Sequence, residues 1–221
     1  MKKLEFFDST HTYTLNGEEI PSVSEISRFA SREIYNESID KFILDNAKEK
    51  GKAIHEATER LDKTGKCDIS LEYTPYVNAY VQFRKDYNIK NYIYIEKPFA
   101  HSDLRYAGTL DRVYEIDKPF ADMVKKQCKV DVSDKIGQVA IIDLKTSTAV
   151  KKPLAQIQLP AYAELIKENT KLKVGCLLIL QLKKDDKYKA YYFDNDLSLF
   201  NSCLCLHNAL MKKKRSKKND K

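Results

Sequence analysis

The sequence predicts an α/β fold with a central mixed β-sheet flanked by helices, and three observations point to it. Apolar runs of strand length are interspersed with longer segments of helical period, in the order helices, paired strands, helix, strands, helix. The run Val139-Ala140-Ile141-Ile142 is apolar and β-branched, as expected for a strand buried within a sheet. No internal repeat or linker divides the chain. Residues 1–211 therefore read as one domain, with a hairpin and helices over 1–90, a core over 91–211, and a basic tail over 212–221.

From the N-terminus, Phe6 to Ile20 reads as a hairpin, because Asn16-Gly17 is a strong two-residue turn between strand-forming segments. Ser22 and Glu25 have the spacing of a capping box and start a helix after Pro21. Residues from about Ser38 to Lys63 read as helical, with a break expected near Gly51 and an apolar stripe of Ile54, Ala57 and Leu61. Tyr73 to Tyr87 is a second helix, with Pro75 tolerated in its first turn. Tyr92 to Glu96 is a strand, and Tyr106 to Ile116 is its hairpin partner. Lys118 to Lys135 shows no clear period and reads as an insertion between two sheet strands.

Gly137 to Lys145 is the central strand, and Lys151 begins a helix running to about Asn169. Pro160 falls inside that helix, removes one backbone hydrogen bond and predicts a kink. Leu172 to Leu182 reads as a buried strand, paired with Tyr188 to Phe193 across the turn Lys184 to Lys187. Asp194 to Met211 closes the domain as a helix.

Composition narrows the classes. The chain has 221 residues, 43% of them hydrophobic, which is enough for one full core. No run approaches the ~18 apolar residues that a membrane span needs. The N-terminus turns acidic at Glu5 and Asp8 before an apolar leader could form, so a soluble intracellular protein is expected. Five cysteines form no CxxC pair, which suggests neither a disulfide framework nor a zinc site. Residues 212–221 carry seven basic side chains and one acidic one, nearly all of the formal +7. That tail is expected to be disordered, serving either to neutralise phosphates or to keep the terminus solvated.

Four short motifs carry chemistry. Asp143 and Lys145 lie two apart at the end of the central strand, so they project to one face. Taken alone, such a pair is an ordinary structural ion pair. Upstream, Gly108-Thr109-Leu110-Asp111 puts a second carboxylate on a strand. Further upstream, Gly51-Lys52-Ala53-Ile54-His55 places a histidine on a helix, at the edge of its apolar stripe. Downstream, Gln158 and Tyr162 are four apart and share a helix face. His11 reads as a structural or surface residue, and Glu56 and Glu59 as solvated helix charges.

In this order, Gly-x-x-x-His, Gly-Thr-Leu-Asp, Asp-Leu-Lys and Gln-x-x-x-Tyr resemble the motif set of the PD-(D/E)xK nuclease superfamily, most of all its RecB-like, phage-type exonuclease branch. The similarity spans roughly His55 to Tyr162, and the opening hairpin followed by Pro-Ser-Val-Ser also resembles phage-type members. The resemblance implies a restriction-endonuclease-like core and a divalent-metal-dependent DNA exonuclease of recombination or DNA processing. It implies that His55, Asp111, Asp143 and the Leu144 carbonyl hold one or two Mg2+ or Mn2+ ions. Hard cations on carboxylates can activate water and neutralise charge on phosphate. Lys145 is implied as the activator, either as a base or as an electrostatic stabiliser, with Gln158 and Tyr162 as orienting groups.

Glu96 is a possible additional site residue, although a charge on an edge strand is its ordinary reading. Thr146, Ser147 and the basic Lys212, Lys213, Lys214 and Arg215 are candidates for contacting DNA. Some relatives carry an iron–sulfur cluster, but here only Cys203 and Cys205 lie close together and no cluster is expected. Linear double- or single-stranded DNA is the implied partner, with a recombination annealing protein possible by family analogy, no membrane, and a cytoplasmic setting in a bacterial or phage-infected cell. Two rivals stay open: an endonuclease of the same fold, and a non-catalytic nucleic-acid-binding protein relying on the basic tail. A P-loop, Gly-x-x-x-x-Gly-Lys-[Ser/Thr], is absent, which argues against a nucleotide hydrolase.

Overall fold

Five strands form one mixed sheet, and the apolar run around Ile141 lies in its middle strand. The structure, a computed structural model, describes residues 3–7, 10–28, 30 and 41–219, and side chains within these except at 41–43 and 212–219. In chain order the elements are β1 (Leu4–Phe7), β2 (Thr12–Leu15), β3 (Glu18–Ile20), α1 (Val23–Ile26), α2 (Lys41–Thr64), α3 (Thr74–Asp86), β4 (Tyr94–His101) and β5 (Tyr106–Glu115). Then follow α4 (Lys118–Cys128), β6 (Val139–Lys145), α5 (Lys152–Asn169), β7 (Val174–Leu182), β8 (Tyr188–Phe193) and α6 (Ser198–Asn219).

The sheet order is β4-β5-β6-β7-β8. Only β6 and β7 are parallel, and α5 makes the crossover between them. Every other neighbouring pair is antiparallel. Helices cover both faces, so the middle strands are apolar on both sides and β6 is buried from Val139 to Leu144. Ile141 and Val139 face a core shared with α1, α5 and α6, while Ile142 and Leu144 face a core shared with α2, α3 and α4. Burying a residue such as Phe83, Phe120 or Phe200 in these layers stabilises the fold by about 1.5–3 kcal/mol each.

The N-terminal strands form a separate three-stranded sheet, turning at Asn16 (φ 54°) and Gly17 (φ 81°), the positive pair that a type I′ hairpin requires. Ser22 caps α1 in a capping box with Glu25, as its spacing predicts. The Ala107 N–H donates to the Pro21 carbonyl at 3.0 Å, which fastens this small sheet to β5.

Several elements differ from the sequence expectation. Helix α2 passes through Gly51 without a break; the ~1 kcal/mol propensity cost of one glycine is outweighed by the burial of Ile54 and Ala57. Its expected start near Ser38 lies outside the described residues. Strand β4 starts two residues later than expected and runs on to His101. The supposed insertion after β5 contains α4, capped by Asp117, whose carboxylate accepts from the Phe120 N–H at 2.9 Å. Phe120, Ala121 and Val124 form its buried stripe, a period hidden by the surrounding charges.

Helix α5 continues through Pro160, which is buried. Helix α6 runs to Asn219, so the backbone of the basic segment extends a helix instead of leaving it at Met211; lysine and arginine are good helix formers. The side chains of Lys212, Lys213, Lys214 and Arg215 lie outside the described residues. Among the described residues, no helix is long and apolar enough to cross a membrane.

Candidate metal and active site

Strands β5 and β6 pair from Glu115↔Val139 to Arg112↔Ile142, and there the ladder stops. One residue further, the Asp111 side chain takes the place of a backbone acceptor, its Oδ2 receiving the Leu144 N–H at 2.7 Å. The two strands part at this point, and a cavity of about 640 Å³ opens beside them. His55, Glu96, Asp111, Asp143, Lys145 and Tyr162 all line it.

Each side chain arrives from a different element for a local reason. On β6, the two-residue period turns Asp143 and Lys145 to the same face, and Lys145 Nζ lies 2.6 Å from Asp143 Oδ2. On α2, His55 sits one residue beyond the buried Ile54, which points the imidazole past the apolar stripe toward the sheet. Its Nε2 lies 3.3 Å from the Leu144 carbonyl oxygen, and its Nδ1 lies 3.2 Å from Glu96 Oε1 and 3.7 Å from Asp111 Oδ1. His55, Glu96 and Asp111 each offer a ligand atom within 4.8 Å of the others. Asp143 stands in the same cavity with Lys145 upon it.

The electrostatics are those of charges crowded under partial burial. Burial alone would lower the His55 pKa, but Asp111 and Glu96 outweigh it and raise the imidazole from 6.5 to about 9. Burial holds Asp111 above the usual carboxylate range, with His55 pulling the other way. Asp143 is raised likewise by burial, opposed by Lys145. A divalent cation placed among these groups would relieve that burden.

Glu96 lines the same cavity, with a carboxylate oxygen near His55 and Asp111. The β4–β5 register sets it opposite Asp111, and its backbone is left-handed at φ 44°, a strained position for glutamate. Arg112, fully buried, holds it in place. Arg112 Nη1 donates to Glu96 Oε1 at 2.9 Å and to the Asp111 carbonyl at 2.7 Å. Arg112 Nη2 donates to Thr58 Oγ1 at 3.1 Å, and Nε donates to Asp62 Oδ2 at 2.6 Å. Tyr80 also donates to Asp62 Oδ2, at 2.6 Å, and Arg84 Nη1 lies 3.0 Å from Asp62 Oδ1.

The sequence reading missed Arg112, Thr58 and Asp62. A signal was present, since His55, Thr58 and Asp62 follow helical spacing as a polar stripe beside the apolar one.

The remaining expected residues are distributed unevenly. Tyr162 is buried against Gly108, where an added Cβ would stand 2.7 Å from its Cε1. Gln158 does share the α5 face with Tyr162, but it lines a small neighbouring cavity of about 50 Å³, with Lys145 between the two spaces, and donates to Ser27 Oγ at 3.2 Å. The Ser147 hydroxyl donates to the Ala149 carbonyl at 2.9 Å and closes its own turn. Thr146 is half-buried near Gly51. Glu56 is exposed, with Lys52 3.8 Å away, and Glu59 pairs with Lys63, both acids at the cavity margin.

The chain matches no model of a known protein family, and no curated protein matches it.

Proposed function

We propose that this chain is a divalent-metal-dependent DNA nuclease with a restriction-endonuclease-like core, and that it degrades DNA from an end. One observation carries the reading. His55 of α2, Glu96 of β4, Asp111 of β5, and Asp143 with Lys145 of β6 converge on one cavity where two strands part. A structural ion pair would not need three buried or half-buried carboxylates, an imidazole and an ammonium facing a shared open space. The order of these residues along the chain is also the order of the motifs that resemble the PD-(D/E)xK superfamily.

The donors suit Mg2+ or Mn2+: carboxylate oxygens and the Leu144 carbonyl for a hard ion, with one imidazole that favours manganese. His55, Glu96, Asp111 and Asp143 would hold it, and the bound ion would supply a nucleophile at neutral pH and neutralise phosphate charge. The chain's own groups do the rest. Lys145 keeps a cation beside Asp143 at the cavity wall, placed to stabilise negative charge growing on a phosphate. Arg112 fixes Glu96, and the Leu144 N–H fixes the Asp111 carboxylate. Tyr162 closes the wall behind them.

The test is a digestion of end-labelled linear duplex, closed circular and single-stranded DNA with Mg2+, Mn2+ or EDTA. Metal-dependent loss of DNA that has an end, duplex or single-stranded, with closed circles left intact, is the expected result. Nicking of circles would move the protein to an endonuclease of this fold. DNA binding without cleavage under either metal would overturn the enzymatic reading in favour of a binding protein.

A further inference from the structure

The cavity has a second wall that the hydrolytic groups do not use. It is also lined by Phe6, His11 and Tyr13 of the N-terminal segment. Their rings form one cluster. Phe6 stacks on Tyr13 with centroids 4.7 Å apart, and His11 stands nearly perpendicular to both, at 5.3 and 5.8 Å. Tyr13 is the buried base of the cluster, Phe6 is half-buried and His11 is exposed, so ring surface is left open to the cavity. His11 reaches this place with a left-handed backbone, φ 52°.

The wall is fixed relative to the carboxylates. Tyr13 Oη and Thr109 Oγ1 are hydrogen-bonded at 2.8 Å, two residues from Asp111 on β5. The backbone bond from Ala107 to Pro21 anchors the same sheet to the same strand.

We propose that Phe6 and His11 form a stacking platform for an unpaired nucleobase next to the phosphate that Lys145 and a cation on Asp111 and Asp143 would hold, so that the preferred substrate is single-stranded DNA or a frayed end. This rests on the nuclease reading. A phosphate drawn to Lys145 and that cation would leave its flanking base near the aromatic residues of the same cavity. Base faces in an intact duplex are covered by their neighbours, whereas an unpaired base offers its whole face to a ring. Stacking of this kind tolerates any base, which suits degradation without sequence preference.

The test compares the full-length protein with Phe6→Leu and His11→Ala, of which Phe6→Leu keeps apolar packing on the small sheet. Substrates are a single-stranded oligonucleotide carrying 2-aminopurine near its end, the matching blunt duplex, and the duplex with a short unpaired end. The expected result is about 10-fold faster metal-dependent cleavage of the single-stranded and frayed substrates by the native protein. Each variant should raise KM on those substrates by about 5–10-fold with kcat held, and shift KM on the blunt duplex less. Equal cleavage of all three substrates, unaffected by either variant, would overturn the platform while leaving the nuclease intact. If no substrate is cleaved, the nuclease reading fails instead, and 2-aminopurine fluorescence decides the platform separately. Quenching by the native protein that is lost in Phe6→Leu supports it, and no quenching overturns it.

Discussion

Arg112 and Glu96 are joined at 2.9 Å between a guanidinium with no exposed surface and a carboxylate in a left-handed backbone. The same guanidinium reaches Asp62 and Thr58 on α2, so one buried cation ties the helix carrying His55 to the strands carrying Glu96 and Asp111. Burying a cation is costly unless its donors are met, and here Nε, Nη1 and Nη2 all find partners. The arrangement holds α2 and the β4–β5 pair, which carry His55, Glu96 and Asp111, at a fixed separation.

Removing that cation should be severe. Arg112→Met leaves Asp62 and Glu96 short of their shared partner, and the expected loss of stability is about 3–5 kcal/mol by urea denaturation. Arg112→Lys should recover little, because a single ammonium cannot reproduce the forked contacts to both acids. Near-native stability for Arg112→Lys would show that the fork is not needed.

Metal affinity should depend on pH through His55. Its pKa is raised to about 9, so in the metal-free protein the imidazole is charged at neutral pH. An ion must displace that proton, so affinity for Mn2+ should rise about tenfold per pH unit from about pH 7 and level off above about 9. Without metal the sign is opposite for folding. The raised His55 contributes stability that is full below its unfolded value of 6.5 and is lost as the pH climbs through about 9. Calorimetric titration with Mn2+ across this range reads the first effect, and thermal melts with chelator read the second. A pH-independent affinity would remove His55 from the metal centre.

Gly108 is constrained by Tyr162, not by its own backbone. An added Cβ would meet Tyr162 Cε1 at 2.7 Å and Val23 Cγ2 at 3.2 Å. Gly108→Ala should therefore cost about 1–3 kcal/mol of stability and displace the tyrosine ring from the cavity wall. Combining it with Tyr162→Leu should relieve part of that cost, measured as a non-additive pair in chemical denaturation. Full additivity would mean that the two side chains do not meet.

Much of this arrangement was legible in the sequence. The run Val139 to Ile142 identified the middle strand, and the two-residue spacing of Asp143 and Lys145 put their side chains together. The Asn-Gly turn and the Ser22–Glu25 box were readable because they are local chemistry. Glu96 reads as an edge-strand charge because its placement beside Asp111 and His55 depends on register. It faces Asp111 only once β4 and β5 are paired, and nothing within either strand says so. Arg112 was missed for a related reason, since an arginine inside a strand looks like a surface charge until Asp62 and Glu96 close around it. Helix α4 is hard to read from sequence because its buried stripe, Phe120, Ala121 and Val124, is short and flanked by lysines.

The most direct test of the central claim is single-turnover cleavage of labelled linear DNA in Mg2+ by the native protein, Asp143→Asn and Lys145→Ala, each first shown to melt cooperatively. The account predicts metal-dependent cleavage by the native protein and a fall of about 100-fold or more in each variant, since both remove groups acting at the reacting phosphate. Cleavage at the native rate by both folded variants would contradict it.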